Sequence, residues 1–155
     1  MLLLPVIRLA EATDAESIAL MSRGLIEQGL GWNWREARVR HAVADRATNV
    51  AVMTEGAVLL GFGIMHYRDE IAHLALFAVD PGRRRRGLGA RLLAWLEEPA
   101  RIAGIDRVRL EARADNEVAI AFYLEQGFRR VQTVPGYYEG LVDAVKLEKR
   151  FTLGV

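Results

Sequence analysis

One stretch constrains this chain more than any other: Val79-Asp80-Pro81-Gly82-Arg83-Arg84-Arg85-Arg86-Gly87-Leu88-Gly89-Ala90. An apolar run with Leu74, Leu76, Phe77 and Val79 enters it, and Leu88, Leu92, Leu93 and Leu96 leave it at helical spacing. Asp80-Pro81-Gly82 breaks the strand by turn chemistry. Gly87 and Gly89 then open the helix with almost no side chain. The first turn of a helix has N–H groups without intrahelical partners and a partial positive charge. Removing bulk there lets an anion approach those N–H groups, and the arginines at 83–86 supply counter-charge. The stretch reads as a cradle for a diphosphate. A P-loop needs Lys-Ser/Thr after its last glycine, where this chain has Ala90-Arg91. The dinucleotide fingerprint needs a third glycine, and Arg91-Leu92 offers none. The diphosphate therefore belongs to some other cofactor.

The basic charge is local. Over 155 residues the net charge is +1, so no overall drive toward nucleic acid or an anionic membrane exists. Apolar residues at 52% and charged residues at 26% fit one globular domain over 1–155. The absence of cysteine excludes a thiol nucleophile, a disulfide framework and a cysteine-ligated metal, and no metal is expected. Met1-Leu2-Leu3-Leu4-Pro5 is too short for a signal peptide, and no stretch has the length of a membrane span. The expectation is a cytoplasmic protein, monomer or homodimer, with no membrane or nucleic-acid partner.

Taken in order, Val6-Ile7-Arg8-Leu9 reads as a first strand. Thr13-Asp14-Ala15-Glu16 has capping-box spacing ahead of Ile18, Leu20, Met21 and Leu25, and Gly29-Leu30-Gly31 ends that helix. Asn33-Trp34-Arg35-Glu36 repeats the box and opens a second helix through Val39 and Val43 toward Arg46. Residues 50–53 and 58–65 flank Glu55-Gly56 as a hairpin, and residues 71–79 form the strand that feeds the cradle. Gly61 and Gly63 relieve crowding or mark a bulge. The helix after the cradle runs from about Leu88 to Ala103. Pro99 predicts a kink or an early stop in it, and Gly104 a C-terminal signal. Residues 107–113 alternate strictly, and strand, helix, strand predicts a right-handed parallel crossover. Asp115-Asn116 caps a further helix that stops at Gly127. Residues 128–134 read as a strand, 135–140 as a loop and 142–151 as the last strand. The fold class is α/β, with a mixed, mostly antiparallel twisted sheet, one central β-α-β crossover and helices on both faces.

These elements and residues resemble the GNAT superfamily of acetyl-coenzyme A-dependent N-acetyltransferases over nearly the whole chain. Arg84-Arg85-Arg86-Gly87-Leu88-Gly89 resembles its Gln/Arg-x-x-Gly-x-Gly/Ala signature. Asn116, Ala119, Phe122-Tyr123 and Gly127-Phe128 resemble its second half-motif, Asn-x-x-Ala-x-x-x-Tyr-x-x-x-Gly-Phe. Within the superfamily, Leu110-Glu111-Ala112-Arg113-Ala114-Asp115-Asn116 resembles the Leu-Glu-Val-Arg-x-x-Asn of protein N-terminal acetyltransferases of the ribosomal-protein alanine type. Gly136-Tyr137-Tyr138 with Asp143-Ala144, and His73-Leu74, resemble their corresponding segments. Two departures stand out: Val142 replaces an acid before Asp143, and Pro99 lies in the cofactor helix.

The resemblance implies an acetyl-coenzyme A cofactor and an amine acceptor. It implies that Phe77, Ala78 and Val79 pair with the pantetheine arm, and that Arg84, Arg85, Arg86, Gly87, Leu88, Gly89 and Ala90 hold the diphosphate. Asn116, Ala119, Phe122 and Tyr123 complete the cofactor set. The reaction needs an amine that loses a proton, a stabilised oxyanion and a protonated thiolate leaving group. Tyr123 matches the family's acid, against the alternative of a core tyrosine. Glu111, directly or through a water, resembles the base, against a salt bridge to Arg109 or Arg113. His73 is the second candidate, imidazole being the side chain whose charge changes near neutrality. His41 and His66 read as surface or hairpin residues. Trp32, Trp34, Tyr137 and Tyr138 are candidates for the acceptor wall. The acceptor is expected to be a protein or peptide α-amino group. The alternatives are a small amine, a non-catalytic coenzyme A sensor, and nucleic-acid binding through residues 83–86, which the low net charge disfavours.

Overall fold

Period-two alternation and β-branched content generate β1 (Val6–Leu9), β2 (Thr48–Glu55), β3 (Val58–Tyr67), β4 (Ile71–Val79), β5 (Arg107–Arg113), β6 (Arg129–Tyr138) and β7 (Val142–Arg150). The computed structural model describes residues 5–151, with Arg84, Arg85 and Arg86 described by backbone alone. The apolar run at 1–4 and those three side chains therefore lie outside the described residues. The strands form one sheet in the order β1-β2-β3-β4-β5-β7-β6. All neighbours are antiparallel except β4 and β5, which are parallel and joined through α3 (Leu88–Ile102). Parallel neighbours need such a crossover because a tight turn cannot reverse the chain twice.

Helices cover both faces. The stripe Leu88, Leu92, Leu93, Leu96 and Ala100 of α3 packs with Ile120 and Tyr123 of α4 (Glu117–Glu125) against Leu74, Val108, Leu110 and Leu147. On the other face, α1 (Ala15–Leu25) and α2 (Glu36–Ala44) bury Ile18, Ala19 and Val39 against Val50, Val52, Phe62, Ile64, Leu76 and Ala78. Each large aliphatic side chain buried in this way stabilises the fold by about 1.5–3 kcal/mol.

A bulge in β4 positions everything that follows. Ile64 pairs with Leu76 and Met65 with Leu74, so Ala75 is the extra residue. Ala72 and Leu74 before it turn toward α3, whereas Leu76 and Ala78 after it turn toward α1 and α2. Pairing with β5 ends at Leu74, one residue before the bulge. A bulge bends its strand and increases local twist, and here it carries β4 away from β5. Beyond the bulge β4 hugs β3, which requires Gly61, while Gly63 lets α3 lie close over the same strand. A Cβ at Gly61 would stand 2.8 Å from the Ala78 carbonyl oxygen, and one at Gly63 would stand 2.4 Å from Leu96 Cδ1.

Several local expectations are corrected. The first box is shifted ahead of Thr13: it frames the 3₁₀ turn Ala12–Asp14 with Glu11 as its N-cap, Asp14 Oδ2 accepting from the Glu11 N–H at 2.8 Å while Arg8 binds the same carboxylate. The first helix ends at Leu25, ahead of Gly29. The second helix is entered through Arg35, not Asn33. The arginines lie in a short 3₁₀ segment, Pro81–Arg86, started by the Asp80 side chain accepting from the Gly82 N–H. The helix does not stop early at Pro99; it continues to Ile102, and the Pro99 carbonyl accepts from the Ala103 N–H at 3.0 Å. Residues 135–138 belong to β6, not to a loop. Val134 pairs with Ala144 and Tyr138 with Val142, leaving a bulge at Pro135-Gly136-Tyr137 held by the Gly136 N–H on Asp143 Oδ1.

Gly61→Ala is expected to lower the unfolding free energy by about 1–3 kcal/mol, because the obstacle is backbone and not a mobile side chain. A shift of the urea midpoint without a change in slope checks this.

Candidate active site

The gap left by the β4–β5 divergence is one end of a cavity of about 430 Å³. Residues from five regions line it: the α1–α2 connection (Glu27, Asn33, Trp34), β4 (His73 to Phe77), β5 (Glu111, Arg113), the start of α4 (Asn116, Ala119, Tyr123) and the β6–β7 turn (Tyr137, Tyr138, Glu139).

Glu111 and His73 meet on its floor, with His73 Nε2 2.8 Å from Glu111 Oε1. Tyr137 donates to the same oxygen at 3.4 Å. Glu111 Oε2 makes no hydrogen bond among the described residues and is not sealed from solvent. Burial alone would raise the Glu111 carboxyl. The His73 hydrogen bond and charge, Lys146 and Tyr137 outweigh it and hold Glu111 below the ordinary carboxylate range. Neither Arg109 nor Arg113 pairs with it: Arg109 binds Glu148 at 2.8 Å and Arg113 binds Asp115. His66 stacks on His73 at 6.3 Å and shares a 2.7 Å hydrogen bond with Thr48. His41 is exposed on α2.

Tyr123 stands across the cavity in an aromatic wedge, its ring 5.4 Å from Phe122, 5.6 Å from Phe128 and 6.2 Å from Phe77. It is only 7% exposed, and burial pushes its hydroxyl well above the ordinary phenol range, so it keeps its proton. Asn116 caps α4 through Oδ1, which accepts from the Ala119 N–H at 3.1 Å. At the far end of β4, Gly87 enters α3 at φ 71°, exposed and with nothing among the described residues within 4 Å of where a Cβ would stand. Among the described residues no side chain caps this helix start, and its first turn carries no acid. Gly89 differs: it is buried, and a Cβ there would lie 3.1 Å from Phe122. Leu88 turns its side chain into the core, leaving only its backbone near the cradle, and Ala90 is half-buried.

Residues 14–128 match the acetyltransferase (GNAT) family. This chain belongs to the GNAT family. Over 115 residues it is 32% identical to the [ribosomal protein bS18]-alanine N-acetyltransferase of Escherichia coli (strain K12), covering 72% of this chain and 77% of that one. The crystal structure of the E. coli ribosomal-protein-S18-alanine N-acetyltransferase superposes with a TM-score of 0.81 at 25% identity, over 97% of this chain and 96% of the other. Ard1 from Thermoplasma volcanium superposes at 0.83 with 26% identity, over 96% and 98%. A 61-residue stretch is 49% identical to an uncharacterized protein of Mycobacterium leprae (strain TN), spanning 39% of this chain but only 16% of that protein.

The GNAT chain is thus an acetyl-coenzyme A-dependent N-acetyltransferase. No helix among its described residues is long and apolar enough to cross a membrane. Of the sequence-derived candidates, His73, Phe77, Glu111, Asn116, Ala119, Tyr123, Trp34, Tyr137 and Tyr138 line one cavity. Phe122 and Val79 flank it through the aromatic wedge and the Gly89 contact. Trp32 stands outside it: its ring lies between Arg23 and Arg35, and its indole N–H donates to the Ala19 carbonyl. Three further wall residues were not among the site candidates read from the sequence. Glu27, 8% exposed, gathers Ser22 Oγ and the Asn33 and Trp34 N–H groups. Arg113 holds the Ile26 and Gln28 carbonyls. Glu139 accepts the Gly31 N–H with both oxygens, at 2.9 and 3.1 Å.

A carboxyl whose native value lies below its unfolded one contributes stability that is full above the unfolded range and lost as pH falls through the native one. Glu111→Gln should therefore flatten the fall of Tm below about pH 4.3 relative to the parent. Thermal unfolding between about pH 6 and 3 reads this out.

Proposed function

We propose that this N-acetyltransferase acts on the α-amino group of a protein or peptide. The observation that carries the reading is the joint lining of one cavity by Glu111, His73, Tyr137, Tyr138 and Tyr123, between the α1–α2 connection and the β6–β7 turn. The similarity to the bS18-alanine enzyme over 72% of the chain supports it. The residues also fit acetyl-coenzyme A. Among the described residues the β5-facing edge of β4 lies open over residues 75–78, and none fills the space against the N–H groups of the α3 start at Gly87, where a phosphate would sit.

When bound, the donor supplies the activated acetyl thioester. Glu111 takes the acceptor's proton, directly or through a water. With Oε1 held by His73 and Tyr137, Oε2 is the atom left for it. The ionised carboxylate also attracts an incoming ammonium group. Backbone N–H groups on the open edge of β4 supply donors to a carbonyl oxygen. Tyr123, kept protonated by its apolar wedge, gives its proton to the departing sulfur and regains one from solvent. Arg84, Arg85 and Arg86 add counter-charge for the phosphates, with Gly87 and the α3 backbone beneath them. Trp34, Tyr137 and Tyr138 wall the acceptor.

Tyr123→Phe should lower kcat by about 100-fold while leaving the dissociation constant for coenzyme A within a few-fold. Single-turnover kinetics beside calorimetric binding separate the two. An unchanged kcat removes Tyr123 from the role. The acceptor class is tested by thiol release from acetyl-coenzyme A against peptides with varied first residues and a panel of polyamines, amino acids and aminoglycosides. Turnover restricted to peptides with a free α-amine is the expected result, and turnover restricted to small amines overturns the reading.

A further inference from the structure

Alternation divides the β5 and β7 side chains between two faces. Val108, Leu110, Ala112, Val145 and Leu147 turn toward α3 and α4. Arg107, Arg109, Glu111, Lys146, Glu148 and Arg150 turn the other way. On that face α1 and α2 cover only strands β2 to β4; no residue of β5, β6 or β7 joins their cluster among the described residues. The uncovered half is a cationic sheet surface. One carboxylate, Glu148, sits at its centre, 5% exposed, with Arg109 at 2.8 Å, Arg150 at 3.6 Å, Arg129 at 3.8 Å and Arg107 at 4.0 Å.

Charge is not balanced there. Arg107, Arg109, Arg129, Lys146 and Arg150 face Glu111, Glu148 and Asp106, with Glu70 also near Arg107, five cations against four carboxylates and an excess of one cation. Fold stability does not call for it, since exposed ion pairs contribute about 0–1 kcal/mol and surplus like charges repel. Arg109, Arg129 and Arg150 keep 48%, 70% and 52% of their side chains in solvent, so their outer N–H groups are available to another anion.

The surface is continuous with the cavity. His73 lines the cavity and its β5 partner is Arg109, while Glu111 lines it and its β7 partner is Lys146. Along β5, Arg109 lies about 7 Å and Arg107 about 13 Å from Glu111 at a strand rise of about 3.3 Å per residue. An extended acceptor with its amine at Glu111 brings roughly its third to sixth residues over these arginines.

We propose that the uncovered face formed by Arg107, Arg109, Lys146, Arg150 and Arg129 is a docking track for an acidic stretch at about positions three to six of the acceptor polypeptide, counted from its acetylated end. The proposal rests on the α-amino reading above and adds a second specificity element outside the cavity. Two peptide series test it, sharing their first two residues and carrying either Asp and Glu or Ser and Gly at positions three to six. At low ionic strength the acidic series should have kcat/KM about tenfold higher, through a lower KM, and the advantage should shrink toward unity in about 0.5 M salt. In the double variant Arg129→Ser/Arg150→Ser, both exposed, the ratio between the series should fall to within about twofold. An acidic peptide with a blocked amine should inhibit the parent and not the variant.

Equal rates for the two series, or a preference for basic residues, overturn the docking track while leaving α-amino acetylation intact. A single-stranded RNA that binds this face and displaces the acidic peptide overturns it in favour of a nucleic-acid surface. Turnover of small amines with none of any peptide removes the α-amino reading, and the docking track with it.

Discussion

A backbone that leaves its neighbour in a sheet exposes N–H and C=O groups that must find other partners. β4 leaves β5 after Leu74, and the surrounding residues compensate for that separation. The bulge at Ala75 supplies the bend and reverses which side chains face which layer. Gly61 lets β3 follow β4 closely enough to satisfy its other edge, and Gly63 makes room for Leu96 of α3. Phe77, Phe122 and Tyr123 fill the wedge opened beneath, and Gly89 lets α3 settle onto Phe122. What remains open is a strip of strand edge ending at a helix start, the shape an extended molecule with a diphosphate at one end would fill.

Two titratable groups facing the same cavity are pushed in opposite directions by their surroundings. Glu111 loses water but gains a hydrogen bond from His73 and nearby positive charge, and the gain exceeds the loss. Tyr123 loses water and gains only aromatic neighbours. The first stays ionised and the second stays protonated, the states that the proposed base and acid roles require. The Glu111 arrangement depends on register: a one-residue slip of β5 against β4 would turn Glu111 into the hydrophobic layer.

Features carried by local chemistry were legible from the residues. The alternation of β5, the cap at Asn116, the parallel crossover and the helix start at Gly87 follow from spacing and turn chemistry, and the structure has all of them. Long-range arrangements were less accessible. Glu27 looks like one more polar residue near a helix end, and only the folded α1–α2 connection turns it inward onto the Asn33 and Trp34 N–H groups. Pro135 and Gly136 read as a loop because each disfavours a regular strand. A bulge anchored by Asp143 accommodates both within β6. Gly89 fits a signature for phosphate, yet its missing side chain makes room for Phe122. Trp32 shares a segment with Trp34 but faces two arginines outside the cavity.

The Glu139 carboxylate, on a residue held at φ 55°, joins the β6–β7 turn to the Gly31 N–H of the α1–α2 connection. Segments separated by 108 positions are thereby tied edge to edge above the cavity. Neither segment alone sets the width of the opening between them. A graft that imports one of these loops from a relative would lose its counterpart's anchor, so the two form a single inheritable module despite lying at opposite ends of the chain.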